Sequence, residues 1–358
     1  MPLSIFISIW QINPNQPEIF IFYRLYMTEK SRFPLYGGQA VIEGVMMRSP
    51  KRIATAVRRA NGDIEIKTDE FVSLIQRKKY LNIPVIRGAI TLIEVMILGI
   101  KTLQWSADKA MVDVEEEERK KGKKVKEKKK GGMTTASAVF TVSIALLIGI
   151  GLFFALPLFL TTEIFNIEKQ ALLFNFVSGG IRIVFFLLYV WGISFMKDVK
   201  RLFQYHGAEH KSIFAFEDKV FLSPANVQQF TTFHPRCGTS FIVIVLLVSL
   251  IFFAFLDTLI ISMTGSINLL TRLLTHLPLI PLVGGISYEA LKASAKHADS
   301  KFVRILIAPG LGLQRITTSQ PNDEQVEVAI CALKAALGEE YKSELVPEDT
   351  GVHKIAVV

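Results

Sequence analysis

The sequence predicts an α-helical polytopic membrane protein: about four transmembrane helices plus an interfacial helix, with a small cytoplasmic α+β layer from the N- and C-terminal segments. Three observations predict it. Half of the 358 residues are apolar, and the mean hydropathy of +0.37 is high for a water-soluble chain. Four stretches with few or no charges are each long enough to cross a bilayer. Lys and Arg crowd the connecting segments on one side of those stretches.

Residues 1–27 are an expected poorly ordered leader. They are apolar and aromatic and carry no charge before Glu18, yet Asn13, Pro14 and Pro17 interrupt them and no basic start marks a signal peptide. Met27 opens a more ordinary beginning, "MTEKSRFPLYGGQA", so an upstream extension or a misplaced start is expected. Residues 28–70 read as a cytoplasmic, β-rich segment. Extended runs at 53–60 and 64–68 flank Asn61-Gly62-Asp63, and Asn-Gly between such runs signals a hairpin turn. Residues 71–110 read as an amphipathic helix lying at the membrane interface. The apolar part, 83–105, contains Arg87, Glu94 and Lys101, which suit an interface better than a plain span.

A charged linker, 111–136, comes next. Glu115, Glu116, Glu117 and Glu118 precede KKGKKVKEKKK at 120–130, with eight lysines in eleven positions. No aromatic residue is interleaved, so the expected contact is anionic lipid headgroups and not nucleic acid. The spans are 137–160, 171–195, 240–263 and 267–286, within a four-helix region at 137–290. The last is the weakest, containing Arg272, His276, Pro278 and Pro281. Arg182 and Asp257 inside spans are expected either to pair with each other or to line a polar cavity. For His276 the readings are a bond to a backbone carbonyl or a proton relay.

Lys and Arg placement sets the orientation. The loop 197–239 carries six such residues, whereas the connections 161–170 and 264–266 hold Lys169 alone. The positive-inside rule puts that loop and both termini in the cytoplasm of a multi-pass cell-membrane protein. Beyond the spans, 291–342 should hold a strand at 303–308, a turn-rich connection, and an amphipathic helix at 323–337 capped by Asn322. The rest, 343–358, reads as a tail. Two cysteines, Cys237 and Cys331, exclude a disulfide framework and suit a reducing compartment.

The chemistry concentrates in "YHGAEHK", which places His206, Glu209 and His210 within five residues of a chain holding only six histidines. On a helix, residues four apart share a face, so both imidazoles can serve one ion. Glu209 stands where a carboxylate could take a proton from an attacking water. H-x-x-E-H is the inverted form of a zinc-peptidase helix motif. "HPRCGTSF" adds His234 and Cys237 at the mouth of the third span, and "ISYEALKASAKH" adds Glu289 and His297. The bland alternatives stay open: surface histidines, a small buried cysteine, a helix-surface carboxylate. In "GGQAVIEGVMMRSP", Glu43 and Arg48 are polar members of an apolar strand, which grips substrate or simply pairs internally.

"YGGQAVIEGVMMRSP", "YHGAEHK", "HPRCGTSF" and "LQRITTSQPNDEQVEVAICALK", in that order, resemble the bacterial YqhQ-type integral membrane protein family. The resemblance runs from about Gly37 to Leu337. It implies a metal-dependent enzyme of the bacterial cytoplasmic membrane, with the metal at His206, His210, His234, Cys237 and Glu289 and with Glu209 catalytic. It supplies no substrate and no reaction. Three readings follow: a zinc-dependent hydrolase acting on a peptide or lipid-like substrate at the cytoplasmic face, a non-catalytic metal-stabilised scaffold, and a small transporter. The cofactor expected in the first two is a divalent metal, zinc first.

Overall fold

A computed structural model describes residues 36–121, 135–296, 300–338 and 356–357. The leader, the lysine run beyond Lys121, His297 and most of the tail lie outside the described residues.

The N-terminal strands β1 (Gly37–Val41), β2 (Gly44–Arg48), β3 (Arg52–Arg58) and β4 (Ile64–Glu70) form an antiparallel meander in sequence order. Ala356–Val357 adds a short parallel strand, β5, beside β4. The expected hairpin at Asn61-Gly62 joins β3 to β4, with Gly62 at φ +92°, where a side chain would be strained. "GGQAVIEGVMMR" is the β1–β2 hairpin. Glu43 sits in its turn and pairs at the surface with Arg201, while Arg48 stacks over Phe71 at 4.3 Å. Glu43 is therefore a turn residue and not a strand one, but it does pair within the protein, with Arg201.

Strand periodicity divides the sheet into two faces. Val45, Met47, Ala54 and Ala56 pack against helices on one face, and Val41, Met46, Ile53 and Val57 pack against Leu98 and Trp105 on the other. The helix behind that second face, α1 (Ile86–Lys120), runs past the expected boundary at 110. Glu, Lys and Arg are good helix formers, and Asp113 anchors the extension by binding the Arg59 side chain and the Ala60 N–H.

Among the described residues, four helices are long and apolar enough to cross a membrane. The first, α2 (135–165), passes through a π-helical turn at Gly151–Ala155. The others are α3 (Ala171–Ile193), α5 (Gly238–Thr264) and α6 (Leu269–Lys296). Their shared core is Phe154, Leu158, Phe174, Phe253 and Val283. Asp257 does not pair with Arg182. Its carboxylate takes Arg272 at 2.9 Å, His276 at 2.8 Å and Asn175 at 2.7 Å. His276 thus bonds a carboxylate and not the backbone carbonyl expected of it, because Asp257 lies on the facing helix at the same depth.

Between α3 and α5 lies α4 (Lys197–Glu217), buried almost all round from Tyr205 onward. The segment expected as a strand at 303–308 is helical instead, within α7 (Lys301–Thr317). Val303, Ile307, Gly310, Leu313, Gln314 and Thr317 are its buried positions, a 3.6-residue period that the short apolar run concealed. The last helix, α8 (Asp323–Leu337), starts where expected, with Asn322 accepting the Gln325 N–H and Gln325 returning the bond as a capping box. Its buried Val326, Ala329, Leu333 and Ala336 cover the sheet beside α4. Each fully buried Val or Leu there contributes about 1.5–3 kcal/mol.

Candidate metal centre

His206 and His210 share one face of α4, their ring centroids 4.4 Å apart. Cys237 caps the N-terminus of α5 and faces them. The ligand-capable atoms of His206, His210 and Cys237 all lie within 4.8 Å of one another, with His210 and Cys237 buried. Neither His234, Glu209 nor Glu289 belongs to this group.

The tautomers follow from the bonds. His206 Nδ1 lies 2.8 Å from the Thr317 carbonyl oxygen and His210 Nδ1 lies 2.5 Å from that of Thr232. A carbonyl can only accept, so each Nδ1 carries the proton and each Nε2 keeps a lone pair. His206 Nε2 stands 3.2 Å from Cys237 Sγ, and a ring nitrogen of His210 lies within 4.8 Å of that sulfur. Imidazoles that bind metal through one nitrogen while donating the other to a carbonyl are held in this manner. The thiol in turn receives the Thr239 hydroxyl at 3.3 Å and the Thr239 N–H at 3.5 Å. Burial, followed by repulsion from His206, lowers the pKa of His210, which favours the neutral ring a ligand must have.

Local sequence makes this convergence possible. Gly207 lets α4 approach the segment after α7: a Cβ there would come within 2.2 Å of the Ser319 carbonyl oxygen. That approach brings Thr317 to His206. Lys211 is buried and donates to the carbonyls of Gln228 at 2.8 Å and Phe230 at 2.6 Å. It thereby fixes the loop whose Thr232 carbonyl orients His210.

Glu209 is 5 % exposed. Burial pushes its carboxyl up to about 7, against the opposing pull of His206 and the Gly38 N–H. Gly38 of β1 has no side chain, and a Cβ there would meet the Glu209 carboxyl carbon at 3.1 Å. The carboxyl therefore lies against β1 of the sheet.

His234 is near, with its ring centroid 5.4 Å from that of His210. Its Nδ1 accepts the Arg236 N–H at 3.3 Å, and its main chain is bound on both sides by the Gln314 amide. This is the placement of a residue that shapes the loop. Glu289 is on α6, engaged by both Nε and Nη2 of Arg87. The structure does not bring it into the group.

A family model described as "Protein of unknown function (DUF1385)" matches residues 83–339. The chain belongs to the DUF1385 family. It is also 33 % identical over 319 residues to the "Uncharacterized protein YqhQ" of Bacillus subtilis (strain 168), covering 87 % of this chain and 95 % of that protein. No solved structure matches it. The family segment includes all three clustered residues and both carbonyls that accept the ring Nδ1–H groups, but begins after β4, so Gly38 lies outside it.

Sequence reasoning missed Lys211, Gln314 and Thr317. Lys211 carried a signal, a lysine inside a run that is otherwise buried. Gln314 carried none, since one glutamine in an amphipathic stretch looks like any surface residue.

Proposed function

We propose that the protein is a metal-dependent membrane hydrolase, its ion, zinc first, held by His206, His210 and Cys237. The observation that carries this reading is the pair of Nδ1–H bonds to Thr317 and Thr232, which turns two Nε2 lone pairs toward the Cys237 sulfur. Two nitrogens and one sulfur suit a borderline-soft ion and leave one tetrahedral position for a water or substrate. Such an ion supplies Lewis acidity. Glu209, with its carboxyl near 7, is the candidate general base, because a base works best when its pKa lies near the operating pH.

Four apolar helices support insertion in the cell membrane, and the Lys and Arg asymmetry supports a cytoplasmic site, both termini included. The substrate class is a peptide or lipid-like molecule reaching that face, with anionic headgroups drawn to the lysine run at 120–130.

One observation favours a second reading, a non-catalytic metal scaffold. The cluster draws on α4 and α5 and is bonded to α7 and the loop at 228–234, so an ion there would tie four elements together.

Elemental analysis of detergent-purified protein beside His210→Ala is the first test: stoichiometric metal in the wild type and its loss in the variant are expected. Cobalt(II) loading adds a spectroscopic reading, with a sulfur-to-metal band present in the wild type and absent in Cys237→Ser. Glu209→Gln then separates the readings by complementation of a deletion strain. The hydrolase expects metal kept and function lost, whereas retention of both leaves the scaffold.

A further inference from the structure

Arg182 sits midway along α3, in the core of the helix bundle, and is 9 % exposed. Among the described residues its guanidinium has one aromatic contact, the Phe154 ring at 4.9 Å, and its Nε is buried without a hydrogen-bond partner. A guanidinium so placed needs a negative partner, because an unpaired charge in a low-dielectric core is costly.

Among the described residues no carboxylate pairs with Arg182. Asp257 is the fully buried acid of the candidate spans, and its two oxygens are already taken by His276, Arg272 and Asn175. Arg272 is itself fully buried, and its Nη1 also lacks a partner among the described residues. The candidate spans therefore hold two buried guanidiniums and one buried carboxylate, and that carboxylate binds Arg272 and not Arg182.

A second observation points to the same place. The ring that contacts Arg182 belongs to the π-helical turn Gly151–Ala155 of α2. A single π turn inside an α-helix widens the backbone and costs regular bonding, and such turns gather at functional sites. Here it also sets Phe154 edge-on to His276, with centroids 6.2 Å apart, joining Arg182 to the Asp257 network.

We propose that the bundle binds a small monovalent anion at Arg182, beside the π turn of α2. The anion supplies the missing charge and accepts from the free Nε. This site is separate from the cluster on α4 and does not depend on the metal reading.

The test follows thermal unfolding of the full chain in detergent, with sodium chloride against sodium gluconate at equal ionic strength. Only an anion small enough to enter should stabilise. The wild type is expected to show a saturable rise in midpoint with chloride, by mass action on the folded state. In Arg182→Met that rise should vanish, and in Arg182→Lys it should need about tenfold more chloride, since a point charge lacks the planar fork of donors. No chloride dependence in the wild type, or the same dependence in both variants, overturns the proposal. If Arg182→Met does not fold, Arg182→Lys decides alone, and an unchanged chloride curve there overturns it.

Discussion

The side-chain amide of Gln314 binds both main-chain groups of His234: Oε1 accepts the His234 N–H at 2.7 Å, and Nε2 donates to the His234 carbonyl at 2.8 Å. This clasp joins α7 to the loop that leads into Cys237. Gln314→Glu replaces the donor amide by a buried carboxyl, which either leaves the His234 carbonyl unsatisfied or must be protonated to donate, at a cost of at least about 1–3 kcal/mol. Because the loop also positions Cys237, metal affinity should fall about 10–100-fold. Competition with a chromophoric chelator measures it. Unchanged affinity would show that the clasp serves folding alone.

Gly207→Ala tests the close approach of α4 to Ser319. Alanine is the better helix former by about 1 kcal/mol, so an isolated helix would gain from the change. In the folded protein the new methyl meets the Ser319 carbonyl oxygen, and overpacking of that kind costs about 1–3 kcal/mol. A lower unfolding midpoint together with reduced metal content is expected. A higher midpoint would mean that the segment after Thr317 moves away at little cost.

Asp257→Asn removes the charge that holds Arg272 and His276. All three side chains are essentially unexposed, and breaking a buried pair by deleting one partner typically costs about 3–5 kcal/mol. Unfolding in detergent should show a loss of that order. The metal content should not change, since none of the clustered residues contacts this network.

A cysteine introduced at Glu168 should react with a membrane-impermeant maleimide in intact cells, and one at Lys219 only after permeabilisation. The basis is the single lysine in the outer connections against the six basic residues of 197–239. The reverse pattern would move the metal-type cluster to the opposite face.

Read alone, the sequence determined the elements whose signals are local. Asn61-Gly62 fixed the β3–β4 turn because glycine adopts the positive φ of that turn without strain. Asn322 with Gln325 fixed the start of α8 because a capping box closes within four residues. The four long apolar helices were legible because length and apolarity belong to a segment and not to its neighbours. His206 and His210 were placed on one face by helical spacing alone. The tertiary structure decided what depends on partners distant in the chain. It brought Cys237, at the N-terminus of α5, beside His206 and His210 on the middle of α4, whereas Glu289 is held by Arg87. It made 301–317 a helix because burial on one face outweighed the local bias of a short apolar run. It assigned Asp257 to Arg272 and His276, because depth in the bundle and not position in the sequence determines which charges meet.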